Sequence, residues 1–133
     1  MLILDTLPLV DFFKDESEIT EKIIQKSEEN GEKLAISVVT LTELYYILAR
    51  EKGEEFAKVS IENIKSYAEP LIFNEKISKE AGKLKFKYSG KDPKKGMPLA
   101  DCIIAATVLE NNATLVTPDD HFKKVEGLKI CWA

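Results

Sequence analysis

Residues 98–120 read PLADCIIAATVLENNATLVTPDD. Leu99, Ile103, Ala106 and Val108 or Leu109 recur at helical spacing, which predicts a helix over 98–111. Leu115, Val116 and Thr117 follow as a short apolar run of strand type, and the acids Asp119 and Asp120 lie just beyond it. A helix feeding a short hydrophobic strand is half of an α/β unit.

The same alternation extends outward. Apolar runs at 2–4, 34–37 and 128–131 predict further strands, and 71–73, after Pro70, predicts a fifth. Helical patterns separate them. Residues 16–30 place Ile19, Ile23 and Ile24 on one face and stop at Asn30-Gly31, a C-cap signal. Residues 41–49 place Leu41, Leu44, Tyr45 and Leu48 at i, i+3, i+4, i+7. Phe56, Val59, Ile61, Ile64 and Tyr67 mark another helix, stopped by Pro70, and 75–88 carries Ile77, Ala81, Leu84 and Tyr88. Short hydrophobic strands between helices require a mainly parallel sheet covered on both faces, so the fold class is α/β.

With 133 residues and 44% hydrophobic content, the chain reads as a single domain over 1–133, without repeat, low-complexity tract or linker. No run approaches the ~18 apolar residues of a membrane span. The start, MLILDTLPLVDFF, has no basic region and meets an acid at position 5, unlike a signal peptide, so a cytoplasmic protein is expected. Cys102 and Cys131 lack metal-site spacing and read as small buried hydrophobes. The net charge of -4 excludes a global basic field. Residues 83–97, KLKFKYSGKDPKKGM, nevertheless carry six lysines against one aspartate. Such a strip suits contact with phosphates, and equally suits a solvated helix face running into a polar loop.

The acids are more informative. Ligands of open α/β sheets bind beyond the carboxyl ends of the strands. Asp5 ends the strand over 2–4, and Asp119 lies past the strand over 115–117. Glu43 and Asp101 fall near helix starts. Asp101 is set among Leu99, Ala100, Cys102, Ile103 and Ile104, with no lysine or arginine within four residues. A buried charge needs a partner, and a bound cation would supply one. Each acid also has a structural reading. First-turn acids complement the helix dipole, and Thr40 with Glu43 matches a capping box. Asp5 suits the cap of a helix with Pro8 in its first turn. Asp119 or Asp120 suits the cap of the turn into His121-Phe122. Taken together, all four acids point to one edge of the sheet.

In order, LILDT (2–6), ISVVTLTEL (36–44), PLADCIIAA (98–106) and LVTPDDHF (115–122) resemble the PIN-domain family, and in particular the VapC-like toxins of toxin–antitoxin pairs. The resemblance implies three layers, α/β/α, around a five-stranded parallel sheet. It implies Asp5, Glu43, Asp101 and Asp119 as the catalytic and metal-binding acids, with Asp120 a neighbouring competitor for the last position. Thr6 and Thr117 would lie beside the substrate. It further implies an RNA substrate, a homodimer and an antitoxin that holds the toxin inactive. Leu7-Pro8 departs from a pattern in which a small polar residue often comes first.

Oxygen donors without a Cys/His cluster favour Mg²⁺ or Mn²⁺ over zinc. His121 is the only histidine, so a histidine acid–base pair cannot be built. Divalent ions on the acids would activate water for in-line attack and stabilise the departing 3′-oxygen, leaving 5′-phosphate ends. Asp5, Asp101 and Asp119 would hold the metal, with Glu43 acting through water or orienting the nucleophile. Lys91, Lys94 and Lys95 would steer RNA phosphates toward the site. Two enzyme alternatives fit less well. A haloacid-dehalogenase-type phosphatase needs a second aspartate where Leu7 stands, and a phosphate-accepting receiver needs paired acids near Asp5 and a lysine beyond the last strand, whereas Lys129 lies inside it. The remaining alternative is a catalytically weak PIN module serving as an RNA-binding or protein-interaction scaffold.

Overall fold

The computed structural model describes residues 1–131. Strand β1 (Leu2–Leu4) is central, paired in parallel with β2 (Leu34–Ser37) on one side and β4 (Thr114–Val116) on the other. Strands β3 (Glu69–Leu71) and β5 (Lys129–Cys131) close the edges, giving a parallel five-stranded sheet in the order β3-β2-β1-β4-β5.

The inner strands β1, β2 and β4 read as apolar runs because both of their faces are buried. Ile3, Ala35 and Leu115 point into one core, whereas Leu4, Leu34, Ile36 and Val116 point into the other. The first core is roofed by α5 (Glu75–Ser89) and α6 (Leu99–Glu110). The second lies under α1 (Thr6–Phe13), α2 (Glu18–Glu29), α3 (Val38–Lys52) and α4 (Glu54–Lys65). These are the three layers expected from the sequence. Among the described residues, no helix is long and apolar enough to cross a membrane.

Several local expectations shift. The strand expected at 71–73 lies at Glu69–Leu71 with Pro70 inside it, opposite Ile36. An edge strand tolerates proline because only one neighbour asks it for hydrogen bonds. In α4, Val59 is 62% exposed, and Ala57, Ser60 and Ile64 face inward instead. Cys102 is buried as expected, but Cys131, at the end of the edge strand β5, is only half-buried. Helix α3 begins at Val38, where Ser37 Oγ accepts the Val39 N–H at 3.1 Å. Glu43 therefore stands in the second turn, and the Thr40–Glu43 capping box does not form.

Candidate functional site

Asp5 is the first residue after β1 and caps α1, so the chain turns away from the sheet edge at this carboxylate. Its side chain is nearly enclosed, at 6% exposure. Oδ1 accepts the Thr6 N–H at 2.8 Å and Oδ2 accepts the Thr117 hydroxyl at 2.8 Å. The parallel register Leu4↔Val116 sets these two residues side by side at the strand ends. Thr117 Oγ1 in turn accepts the Asp119 N–H at 3.1 Å, and Asp119 Oδ1 accepts the His121 N–H at 2.9 Å. On the other side, Thr6 Oγ1 donates to Glu43 Oε1 at 3.1 Å. A continuous chain of bonds thus runs from Glu43 through Asp5 to Asp119. Asp101, in the first turn of α6, makes no hydrogen bond or ion pair among the described residues.

All four acids line one cleft of about 390 Å³ at the carboxyl edge of the sheet. Asp120 turns away to pair with Lys123 at 2.9 Å. Residues 2–128 match the PIN-domain family.

The chain belongs to the PIN-domain family.

Its acidic cleft is accordingly read as a metal-dependent nuclease site. Solved structures of similar fold include VapBC2 from Rickettsia felis bound to a DNA fragment from its promoter. That match has 24% identity and TM-score 0.84, covering 98% of this chain and 97% of the other. DNA-bound VapBC from Salmonella typhimurium matches at 23% identity and TM-score 0.80, covering 98% and 96%. A toxin–antitoxin complex from Klebsiella pneumoniae matches at 19% identity and TM-score 0.71, covering 96% and 95%. At these identities the likeness is one of fold. No curated protein matches the chain in sequence.

The electrostatics of this PIN domain follow from crowding like charges into a half-closed cleft. Burial, reinforced by Asp5, Asp119 and Glu43, pushes the Asp101 carboxyl up to about 6. Burial also raises Asp5, opposed by the bonds from Thr117 and Thr6, and raises Glu43, opposed by the bond from Thr6. A divalent cation would reverse these shifts by favouring the ionised acids. The donor set fits one: oxygen ligands converge on the cleft, and among the described residues Asp101 makes no ion pair, the nearby His121 being the last and least of the influences on its carboxyl.

The structure places the remaining predicted residues less uniformly. Thr117 is 1% exposed with its hydroxyl committed to Asp5 and the Asp119 N–H, so it orients carboxylates where substrate contact was expected. Thr6 similarly orients Glu43. Lys91, Lys94 and Lys95 are exposed on the loop that leads into α6 and do not line the cleft. Lys85, at the start of the basic strip, is held by the carbonyls of Pro93 at 2.9 Å and Met97 at 2.8 Å. Leu7, the departure from the family pattern, is 51% exposed on the cleft wall.

Four contributors escaped the sequence reading. Glu51 lines the cleft with Glu43 and Ile47, a stripe at i, i+4, i+8 on α3 that the spacing alone would have revealed. Asp11 joins them from α1, and Lys14 bridges Glu51 at 3.1 Å and Glu16 at 3.3 Å. His121, the only histidine, stands beside the acids. A ring nitrogen of His121 and one oxygen each from Asp101 and Asp119 all lie within 4.8 Å of one another. The Asp-x-His spacing at 119–121 was its available signal.

Proposed function

We propose that this PIN domain hydrolyses RNA as a metal-dependent endoribonuclease, working as a single cytoplasmic domain and as the toxin of a toxin–antitoxin pair. The observation that carries the reading is Asp101, a half-buried carboxylate with no hydrogen bond or ion pair among the described residues, in one cleft with Asp5, Glu43 and Asp119. The toxin assignment draws support from the folds shared with VapBC complexes and a toxin–antitoxin complex.

Asp5, Asp101 and Asp119 would hold Mg²⁺ or Mn²⁺, which supplies charge neutralisation at the phosphodiester and a water of lowered pKa. Glu43 accepts the Thr6 bond on Oε1, which leaves Oε2 to orient the attacking water and take its proton. Thr117 keeps Asp5 in place from behind. Lys91, Lys94 and Lys95 draw RNA phosphates toward a cleft that would otherwise repel them. The remaining partners are an antitoxin, which holds the toxin inactive, and a second copy of the chain.

The deciding experiment incubates a mixed single-stranded RNA pool with the protein in Mn²⁺, in EDTA, and with Asp101→Asn in Mn²⁺. Cleavage only by the unaltered protein with metal, leaving 5′-phosphates, is expected. Equal cleavage by the Asn variant would dismiss this site. Metal binding without cleavage in any sample would favour an RNA-binding scaffold on the same fold.

A further inference from the structure

We infer that His121 is a direct ligand of the ion held by Asp101 and Asp119, and that its imidazole tilts the site from Mg²⁺ toward Mn²⁺. The inference rests on the metal-dependent reading above and adds a nitrogen to a donor set that was otherwise all carboxylate.

Geometry singles this residue out. The donor atoms of Asp101, Asp119 and His121 lie within 4.8 Å of one another, and neither Asp5 nor Glu43 belongs to that close group. Donors about 2.0–2.2 Å from one ion stand at most ~4.4 Å apart, so small rotations bring all three onto a single cation. His121 Nδ1 already approaches Asp119 Oδ1 at 3.4 Å. The backbone beneath the ring is fixed twice. Asp119 Oδ1 caps the His121 N–H at 2.9 Å, and the next residue, Phe122, is fully buried. The ring itself is 61% exposed and takes no part in core packing. It can therefore swing onto an ion without disturbing the core.

Chemistry then sets the preference. Mg²⁺ demands a near-ideal octahedron, keeps its waters and favours oxygen. First-row transition ions accept imidazole nitrogen more readily. Carboxylates alone would take Mg²⁺ and Mn²⁺ on similar terms, whereas one imidazole favours Mn²⁺. A simple ion pair between His121 and Asp119 predicts otherwise, because its loss would alter both metals alike.

The test measures Mn²⁺ binding to metal-free protein from the electron paramagnetic resonance signal of the free ion, with Mg²⁺ affinity read by competition. The unaltered chain is compared with His121→Asn, His121→Gln and Asp101→Asn, each first shown by circular dichroism to be folded. Both His121 variants should weaken Mn²⁺ about tenfold and Mg²⁺ by less than about twofold. Unchanged Mn²⁺ affinity, or equal weakening of both ions, overturns the inference while Asp101→Asn still loses metal. Undiminished binding by Asp101→Asn as well would instead bring down the metal-site reading on which the inference rests.

Discussion

Thr117 donates its hydroxyl proton to Asp5 Oδ2 across 2.8 Å, joining residues 112 positions apart in the sequence. The bond closes the ends of two neighbouring parallel strands, β1 and β4. It is also the strongest opposition to the burial that raises Asp5. One hydroxyl thus links fold and site: it satisfies a buried carboxylate and keeps it closer to its ionised form.

Replacing Thr117 with valine keeps the shape and removes the donor. The folded protein should lose about 1–3 kcal/mol, because an enclosed carboxylate is left short of a partner. Metal affinity should weaken with it as Asp5 rises further. Thr117→Ser should recover most of both. Urea unfolding and metal titration of the two variants check this, and a valine variant indistinguishable from the parent would refute it.

Asp101 gives a prediction with a sign. Its carboxyl is raised to about 6 in the folded chain, so folding favours the protonated form. The corresponding stability is present below the ordinary carboxylate range and is lost as pH rises through about 6. Asp101→Asn removes that loss. In EDTA the variant should match the parent near pH ~4 and exceed it by about 1 kcal/mol at pH ~8, after discounting for the partial exposure of the site. Its RNA cleavage should fall by at least ~100-fold. A variant less stable than the parent at the higher pH would contradict the origin given for the shift.

Divalent metal should act on stability in the opposite sense. At neutral pH it favours the ionised forms of Asp5, Glu43 and Asp101, all raised by burial. Saturating Mn²⁺ at about 100 times its dissociation constant stabilises by ~2.7 kcal/mol. The rise in thermal midpoint should be larger at pH ~7 than at pH ~5, where protons compete for the ligands. Differential scanning calorimetry at both pH values tests this. An equal rise at both would mean that the ion binds away from these carboxylates.

The inner sheet was legible because β1, β2 and β4 are buried on both faces and so read as uninterrupted apolar runs. The edges were less legible. Pro70 looked like a stop before the strand because its tolerance depends on β3 having one neighbour, which only the assembled sheet determines. The four acids were found from their places at strand ends and helix starts. Their separation into closer and more distant groups was not, since it depends on side-chain direction. Asp5 and Asp119 also turn out to cap α1 and the 3-10 turn at Asp120–Lys124 while lining the cleft, so the structural and functional readings of these residues hold together. Thr117 resembled a residue beside the substrate because sequence cannot show which way a hydroxyl is bonded. His121 needed the curl of the 3-10 turn to bring it back toward Asp101.

The exposed lysines of the loop before α6 should affect RNA capture and leave chemistry intact. Reversing Lys91, Lys94 and Lys95 to glutamate should raise KM roughly tenfold at low salt. The slope of log affinity against log salt should flatten by about 2 units, as expected for three lost contacts to single-stranded phosphates. kcat should change little, since none of the three lines the cleft. Unchanged affinity and salt dependence would remove these lysines from the RNA path.

The same loop should also govern how firmly Asp101 is held. Gly96 adopts φ +70, and a Cβ there would collide with the Tyr88 carbonyl and approach Ser89 Oγ at 2.8 Å. Beside it, Lys85 grips the Pro93 and Met97 carbonyls, and Ser89 Oγ donates to the Lys95 carbonyl. Met97 is fully buried, and Pro98 leads directly into the first turn of α6, where Asp101 sits. Gly96→Ala should therefore cost about 2–3 kcal/mol, from the left-handed backbone and from the forced displacement of the loop. Lys85→Met should loosen the loop from the other side at a cost of about 1–2 kcal/mol. Both should weaken Mn²⁺ binding, because displacement at Met97 is transmitted to Asp101. If both lower the unfolding midpoint while Mn²⁺ affinity stays within about twofold, the loop supports the fold alone, and α6 positions Asp101 through its core packing.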